Sequence, residues 1–161
     1  MIRLKTAVLL AGSLKIGAIL AGATAEDAEN LYNFGMHIGV AFQLQDDLLD
    51  VYGDPEVFGK KIGGDILCNK KTYMLIKALN RADEKQHAEL NSWLNAEAFQ
   101  PSEKIEAVTE IYNQLNIRNI CESKMREYYT FAMESLAAVA VAEDRKKELK
   151  NLVKLLMYRE M

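Results

Sequence analysis

The 161 residues predict an all-α fold. Two prolines, at 55 and 101, are the only ones in the chain, and the remainder is rich in the helix formers Ala, Leu, Lys and Glu. Apolar residues recur at helical spacing, as at Ile105, Val108, Ile111 and Leu115, and nowhere alternate over the length of a strand. No internal repeat is present.

The elements follow in order. A first helix is expected over about 2–21 and a second over about 25–52, where Thr24 and Asp27 make a capping-box-like start. Gly53-Asp54-Pro55 ends the second helix, because Pro55 lacks an N–H and restricts Asp54. A helix over about 70–81 takes Asn69 as its N-cap, and another begins near Asp83, with Gln86 three residues on. The next starts near Ser102, after Pro101. Helices over about 119–141 and 144–159 complete the set, the last with Leu149, Leu152, Val153 and Leu156 on one face. Met125, Tyr128, Tyr129 and Phe131 are expected in the core. The acidic pairs Glu26-Asp27, Asp83-Glu84 and Glu143-Asp144 read as helix-start charges. The length suits one domain, 1–161.

Composition excludes some functions. A net charge of −3 gives no electrostatic reason for nucleic-acid binding. Cys68 and Cys121 form no CxxC pattern, so reduced, buried thiols are expected. No apolar run approaches the roughly 18 residues of a membrane span. Lys15 interrupts the apolar stretch after Met1, which argues against a secretory signal and for a cytoplasmic protein.

The most informative stretch is Phe42-Gln43-Leu44-Gln45-Asp46-Asp47-Leu48-Leu49-Asp50. At about 100° per residue, Gln43, Asp46, Asp47, Asp50 and Gly39 share an arc about 100° wide. Val40, Ala41, Phe42, Leu44, Leu48, Leu49 and Val51 fill the other directions. A helix apolar everywhere but along a strip of acid is a buried helix facing a polar cavity. Two carboxylates about 5.5 Å apart repel by ~3 kcal/mol at an effective dielectric near 20. Either their pKa values rise or a hard cation sits among them, and oxygen ligands suit Mg²⁺ or Ca²⁺.

A glycine-rich loop with lysines follows, Phe58-Gly59-Lys60-Lys61-Ile62-Gly63-Gly64-Asp65-Ile66, and then Asn69-Lys70-Lys71-Thr72. Alone it would read as a solvated basic loop. Beside an acidic helix it suits a phosphate group bridged to the aspartates by metal. His37 and His87 lie in no ligand spacing and read as ordinary helix residues.

FQLQDDLLDVYGD, then GKKIGGDI, then NKKTY, resembles the second aspartate-rich region of the trans-isoprenyl diphosphate synthases, and Lys5-Thr6 matches a further motif of that family. The resemblance covers essentially the whole chain, and the ordered combination of motifs is far more specific than DDxxD alone. It implies a helical bundle of the isoprenoid synthase type. It also implies condensation of an allylic diphosphate with isopentenyl diphosphate, assisted by Mg²⁺, in enzymes that are typically homodimers. Carried over residue by residue, Asp46, Asp47 and Asp50 become metal ligands and Asp65 a nearby outer acid. Lys5, Lys60 and Lys70 would contact the allylic diphosphate, and Thr6 and Gln43 would line the reacting end. Lys5, Thr6, Gln43 and Lys60 are the residues expected to act in catalysis.

The family carries two aspartate-rich regions, and this chain has one. Arginines that help hold isopentenyl diphosphate and helices that set product length are also without counterpart. The chain is therefore expected to be the C-terminal portion of a polyprenyl synthetase domain, a partial bundle unable to turn over alone. The alternative is a non-catalytic helical remnant, or a small subunit that completes a heteromeric synthase.

Overall fold

The computed structural model describes residues 2–54 and 62–157. A π-helical turn, Arg3–Ala7, leads into α1 (Val8–Leu20) and α2 (Ala25–Tyr52). After it come α3 (Gly64–Leu67), α4 (Tyr73–Arg81), α5 (Glu84–Asn95) and α6 (Pro101–Gln114), then α7 (Ile117–Ala138) and α8 (Glu143–Met157). No strand occurs among the described residues, as the all-α expectation required. None of these helices is long and apolar enough to cross a membrane.

Differences from the expected bounds have local causes. Asn69 does not cap α4. It adopts a left-handed backbone, φ 52°, and Thr72 caps instead, its Oγ1 accepting the Leu75 N–H at 3.2 Å. Asn116, φ 56°, turns the chain between α6 and α7, so α7 starts earlier than expected. It also stops earlier, because the buried Asp27 carboxylate accepts the Ala140 N–H at 2.7 Å. The Asp83–Gln86 capping box closes in both directions, at 2.8 and 3.2 Å. At α2 Thr24 caps the Asp27 N–H at 3.0 Å, while the Asp27 side chain is the one that reaches Ala140.

The described residues form two compact units, Met1–Gln45 with Ser123–Glu160, and Asp46–Glu122. The first has a core of Phe34, Ile38 and Ala41 from α2, Ala132 and Leu136 from α7, and Val153 and Met157 from α8. Met125, Tyr128 and Tyr129 pack against it as expected, as do Leu149 and Leu156. Phe131 and Leu152 do not: both are exposed, and Phe131 lies tilted against His37 with ring centroids 5.6 Å apart. Gln45, buried, donates from Nε2 to the Met157 carbonyl at 3.1 Å and so holds the end of α8.

The start of the chain lies against α2 through a seam of small residues. A Cβ added at Gly39 would sit 2.6 Å from the Ala7 Cα, and one at Gly35 would sit 2.8 Å from the Ala11 Cα. Only residues with little or no side chain let two helix backbones come this close. One turn beyond Gly39 on the same face is Gln43, and its Oε1 accepts the Thr6 hydroxyl at 3.2 Å.

In the second unit α6 packs against α3, α4 and α5. Gly63, φ 84°, starts α3 where a side chain would run into Ile105. The face of α6 turned inward carries Lys104, Val108, Ile111 and Tyr112, all buried. Ile105 and Leu115, expected on that face, sit at its margin.

The seam predicts opposite outcomes for one chemical change. Gly39→Ala must push backbone from backbone and should destabilise the chain by about 1–3 kcal/mol. Gly17→Ala, where an added Cβ meets nothing within 4 Å, should stabilise it by about 0.5–1 kcal/mol. Urea unfolding of the two variants measures both signs.

Candidate active site

The acidic strip of α2 resolves into three carboxylates with three environments. Asp47 is 1% exposed, and its Oδ1 accepts a hydrogen bond from Lys70 Nζ at 2.9 Å. The same ammonium reaches Asp65 Oδ2 at 2.6 Å, so Lys70 bridges α2 to α3. Burial works against the Lys70 charge, but the hydrogen bonds to Asp65 and Asp47 outweigh it and hold its pKa above the ordinary lysine value. Asp50 turns its Oδ2 to the backbone N–H of Asp65 at 2.8 Å. Burial raises its carboxyl above the usual aspartate range, and that N–H opposes the rise. Asp46 is half-buried and is engaged by no other described side chain.

The segment that presents Lys70 is tightly specified. The Gly63 N–H donates to the Asp50 carbonyl at 2.6 Å, anchoring the start of α3 to α2. The end of α3 closes with two hydrogen bonds, from Asn69 N–H to the Ile66 carbonyl at 3.2 Å and from Lys70 N–H to the Asp65 carbonyl at 2.9 Å. This is the pairing of a Schellman motif, with Asn69 in the left-handed position that glycine normally fills. Gly64 matters for a different reason: a Cβ there would stand 3.3 Å from Asp50 Oδ1 and crowd the carboxylate.

Among the described residues no group of three His, Cys, Asp or Glu side chains is gathered to hold a metal ion. At Asp47 and Asp50, Lys70 and a backbone N–H occupy oxygens that a cation could use. The donor set still fits a hard cation in part. Asp46 and the second oxygen of Asp50 are carboxylate donors on one helix face, and hard cations take oxygen. Asp47, sealed and paired, fits a role in holding Lys70 better than one as a ligand.

Lys5 and Thr6, in the other unit, lie within the π-helical turn. Lys5 is exposed, and Thr6 is joined to Gln43. A π-turn inserts an extra residue into the helix and is frequent at functional sites. Lys60, expected to contact diphosphate, lies outside the described residues. The structure thus brings together Thr6 with Gln43 in one unit, and Asp47, Asp65 and Asp50 around Lys70 in the other.

Other reactive groups are silent. Burial pushes the Cys121 thiol up to about 12, which leaves it protonated and unreactive. Cys68, expected to be buried, is exposed. Burial likewise raises Tyr52 to about 12, and its hydroxyl donates to Asn113 Oδ1 at 3.1 Å. His87 is tied to Asn91, as an ordinary helix residue would be. The π-turn and the left-handed Asn69 left no mark in the sequence. Lys104 did leave one, since it stands four and seven residues before Val108 and Ile111, on the buried face.

Residues 1–115 match the family model Polyprenyl synthetase. A geranylfarnesyl diphosphate synthase of Aeropyrum pernix is 33% identical over 153 residues, 95% of this chain and 46% of that protein. A short chain isoprenyl diphosphate synthase of Methanothermobacter thermautotrophicus is 36% identical over 146 residues, 90% and 44% of the two. A solved geranylgeranyl pyrophosphate synthase matches with a TM-score of 0.89 at 36% identity, over 99% of this chain and 50% of that one. Another, from Corynebacterium glutamicum and complexed with isoprenyl diphosphate and magnesium, matches at 0.86 and 30%, over 98% and 45%. The chain spans about half the length of the curated relatives it matches. With the family model covering most of the sequence, the chain belongs to the polyprenyl synthetase family.

Proposed function

We propose that this chain is the diphosphate-gripping portion of an isoprenyl diphosphate synthase, which joins an allylic diphosphate to isopentenyl diphosphate. The observation that carries this reading is Lys70 clamped between Asp47 and Asp65, on the helix face that also carries Asp46 and Asp50. Two of the three Lys70 N–H donors are committed to carboxylates, which fixes the third in direction and leaves it for a phosphate oxygen. By family resemblance Lys5 and Lys60 act with it.

Asp46 and Asp50 would hold Mg²⁺, which when bound offsets charge on the diphosphate and so favours its departure. In the proposed reaction the allylic C–O bond breaks and its electron pair leaves with the diphosphate. The double bond of isopentenyl diphosphate then supplies the electrons of a new C–C bond, and loss of a proton restores a double bond. Lys70 holds its proton throughout, because the two carboxylates beside it disfavour losing it, and it serves as fixed positive charge. Thr6, its proton directed to Gln43, presents lone pairs toward developing positive charge without acting as a nucleophile. A second reading, a helical subunit that completes a heteromeric synthase, draws support from the apolar face of α1, where Leu9, Ile16 and Leu20 are all exposed.

Three outcomes test these readings. Asp46→Ala should weaken Mg²⁺-dependent binding of a bisphosphonate by about tenfold or more, roughly 1.4 kcal/mol, measured by calorimetry; an unchanged titration would remove Asp46 from the site. The 161-residue chain alone, with one aspartate-rich face, should not extend an allylic diphosphate. Radiolabelled isopentenyl diphosphate carried into a longer product by the highly purified chain would overturn that view.

The third outcome concerns association. An apolar helix face of this extent is uncommon on monomers, and a two-fold homodimer is the simplest way to cover it. Light scattering over a concentration series should show association that Leu9→Lys with Ile16→Lys abolishes. A well-behaved monomer at high micromolar concentration, with no dye-accessible apolar surface, would count against this assembly.

A further inference from the structure

Lys104 is 1% exposed, yet no carboxylate among the described residues partners it. Its Nζ donates to Asn69 Oδ1 at 2.7 Å and stands over the Phe99 ring, 4.2 Å from the centroid. Burial lowers its pKa, the expected response of an ammonium taken out of water with one neutral acceptor and one aromatic face. For packing alone a methionine of similar reach would fill this place without removing a charge from water. The charge therefore has to be explained by what it grips.

What it grips is one side of a two-sided clamp. The Asn69 carboxamide accepts from Lys104 of α6 through Oδ1 and donates from Nδ2 to the Leu94 carbonyl of α5 at 2.9 Å. Asn69 is also the left-handed residue that closes α3, and the next residue is Lys70. Left-handed backbone is less favourable for asparagine than for glycine, and a side-chain restraint helps to hold it. The clamp supplies one from two helices at once, and the turn it holds delivers Lys70 Nζ to Asp47 and Asp65.

We propose that Lys104 is a positioning residue: through Asn69 it holds the turn that aims Lys70 at the acidic face of α2. Its importance for diphosphate binding rests on the reading of Lys70 given above; the mechanical coupling does not.

The two parts are separated by reading Lys70 directly. In the chain labelled with ¹⁵N-lysine, the Lys70 ammonium held between two carboxylates should give an Nζ signal with slow hydrogen exchange, assigned by its loss in Lys70→Arg. Lys104→Met should speed that exchange by about fivefold or more, the factor that corresponds to losing one hydrogen bond of typical net strength. Asn69→Gly tests the same link without touching the buried lysine, and it keeps the fold because glycine accepts the left-handed backbone. Because it removes both sides of the clamp, it should produce at least the same loss, and the double variant should be no worse than Asn69→Gly alone, since Lys104 acts through Asn69. A Lys70 signal unchanged in Asn69→Gly, or effects of the two substitutions that add, would overturn the coupling. A lesser role of Lys104 in packing would lower the melting temperature and leave the Lys70 signal where it is. Titration with inorganic diphosphate and Mg²⁺ supplies the second arm. If the Lys70 signal loosens and diphosphate affinity does not fall, the positioning stands and the assignment of Lys70 to the diphosphate site fails.

Discussion

A carboxylate as deeply buried as Asp47 can keep its charge only if a cation or several N–H donors come to it. Here a lysine comes, and much of the second unit is arranged around bringing it. The chain leaves α2, starts α3 against the Asp50 carbonyl, and must reverse within a few residues for position 70 to face back toward Asp47. A left-handed residue at 69 makes that reversal, and Thr72 then starts α4 in its new direction. The Lys70 ammonium answers Asp65 as well, so one positive charge relieves two carboxylates whose mutual repulsion would otherwise oppose folding. Removing the lysine would take a buried carboxylate's ammonium partner away, a far more costly condition than never having had the pair.

The same residue type does three different things within five positions. Asp47 is a structural counterion. Asp50 is half committed to backbone and carries a raised pKa because burial favours its neutral form. Asp46 keeps its oxygens on an open edge. The DDxxD spacing places all three on one face, but spacing alone does not distribute these roles. Depth below the surface and the identity of the donor opposite each carboxylate do so.

That distinction also explains what could be read in advance. The helices of this chain announce themselves through apolar periodicity, the Asp83–Gln86 box and Pro101, because those signals are local. The acidic face of α2 was legible for the same reason, since α-helical rotation is fixed and its apolar flanks are contiguous. The failures are all non-local or depend on backbone geometry. Asn69 looked like a cap because asparagine favours both caps and left-handed turns, and only contacts with α5 and α6 decide between them. Phe131 looked like core because aromatic residues are usually buried, yet its position on α7 turns it outward beside His37. Cys68 is exposed although residues of its type are most often buried, because its place at the end of α3 turns it outward. The π-turn at Arg3–Ala7 has no compositional signature at all, and the pairing of Thr6 with Gln43 depends on a backbone approach that no spacing rule reveals.

The seam between Ala7, Ala11, Gly35 and Gly39 has a genetic consequence. Many packing defects can be relieved by a second change that shrinks the opposing side chain. Here the atoms facing the two glycines include, beside the Leu14 side chain and the Ala7 Cβ, the α-carbons of Ala7 and Ala11 themselves, which no substitution can remove. A side chain gained at position 39 therefore has no suppressor at position 7. Recovery would have to come from changes that let the whole first helix shift, and any such shift would carry Lys5 and Thr6 with it. The four positions should accordingly appear among related sequences as a block of small residues that do not trade volume with one another, and the glycines should be held more strictly than the alanines they face.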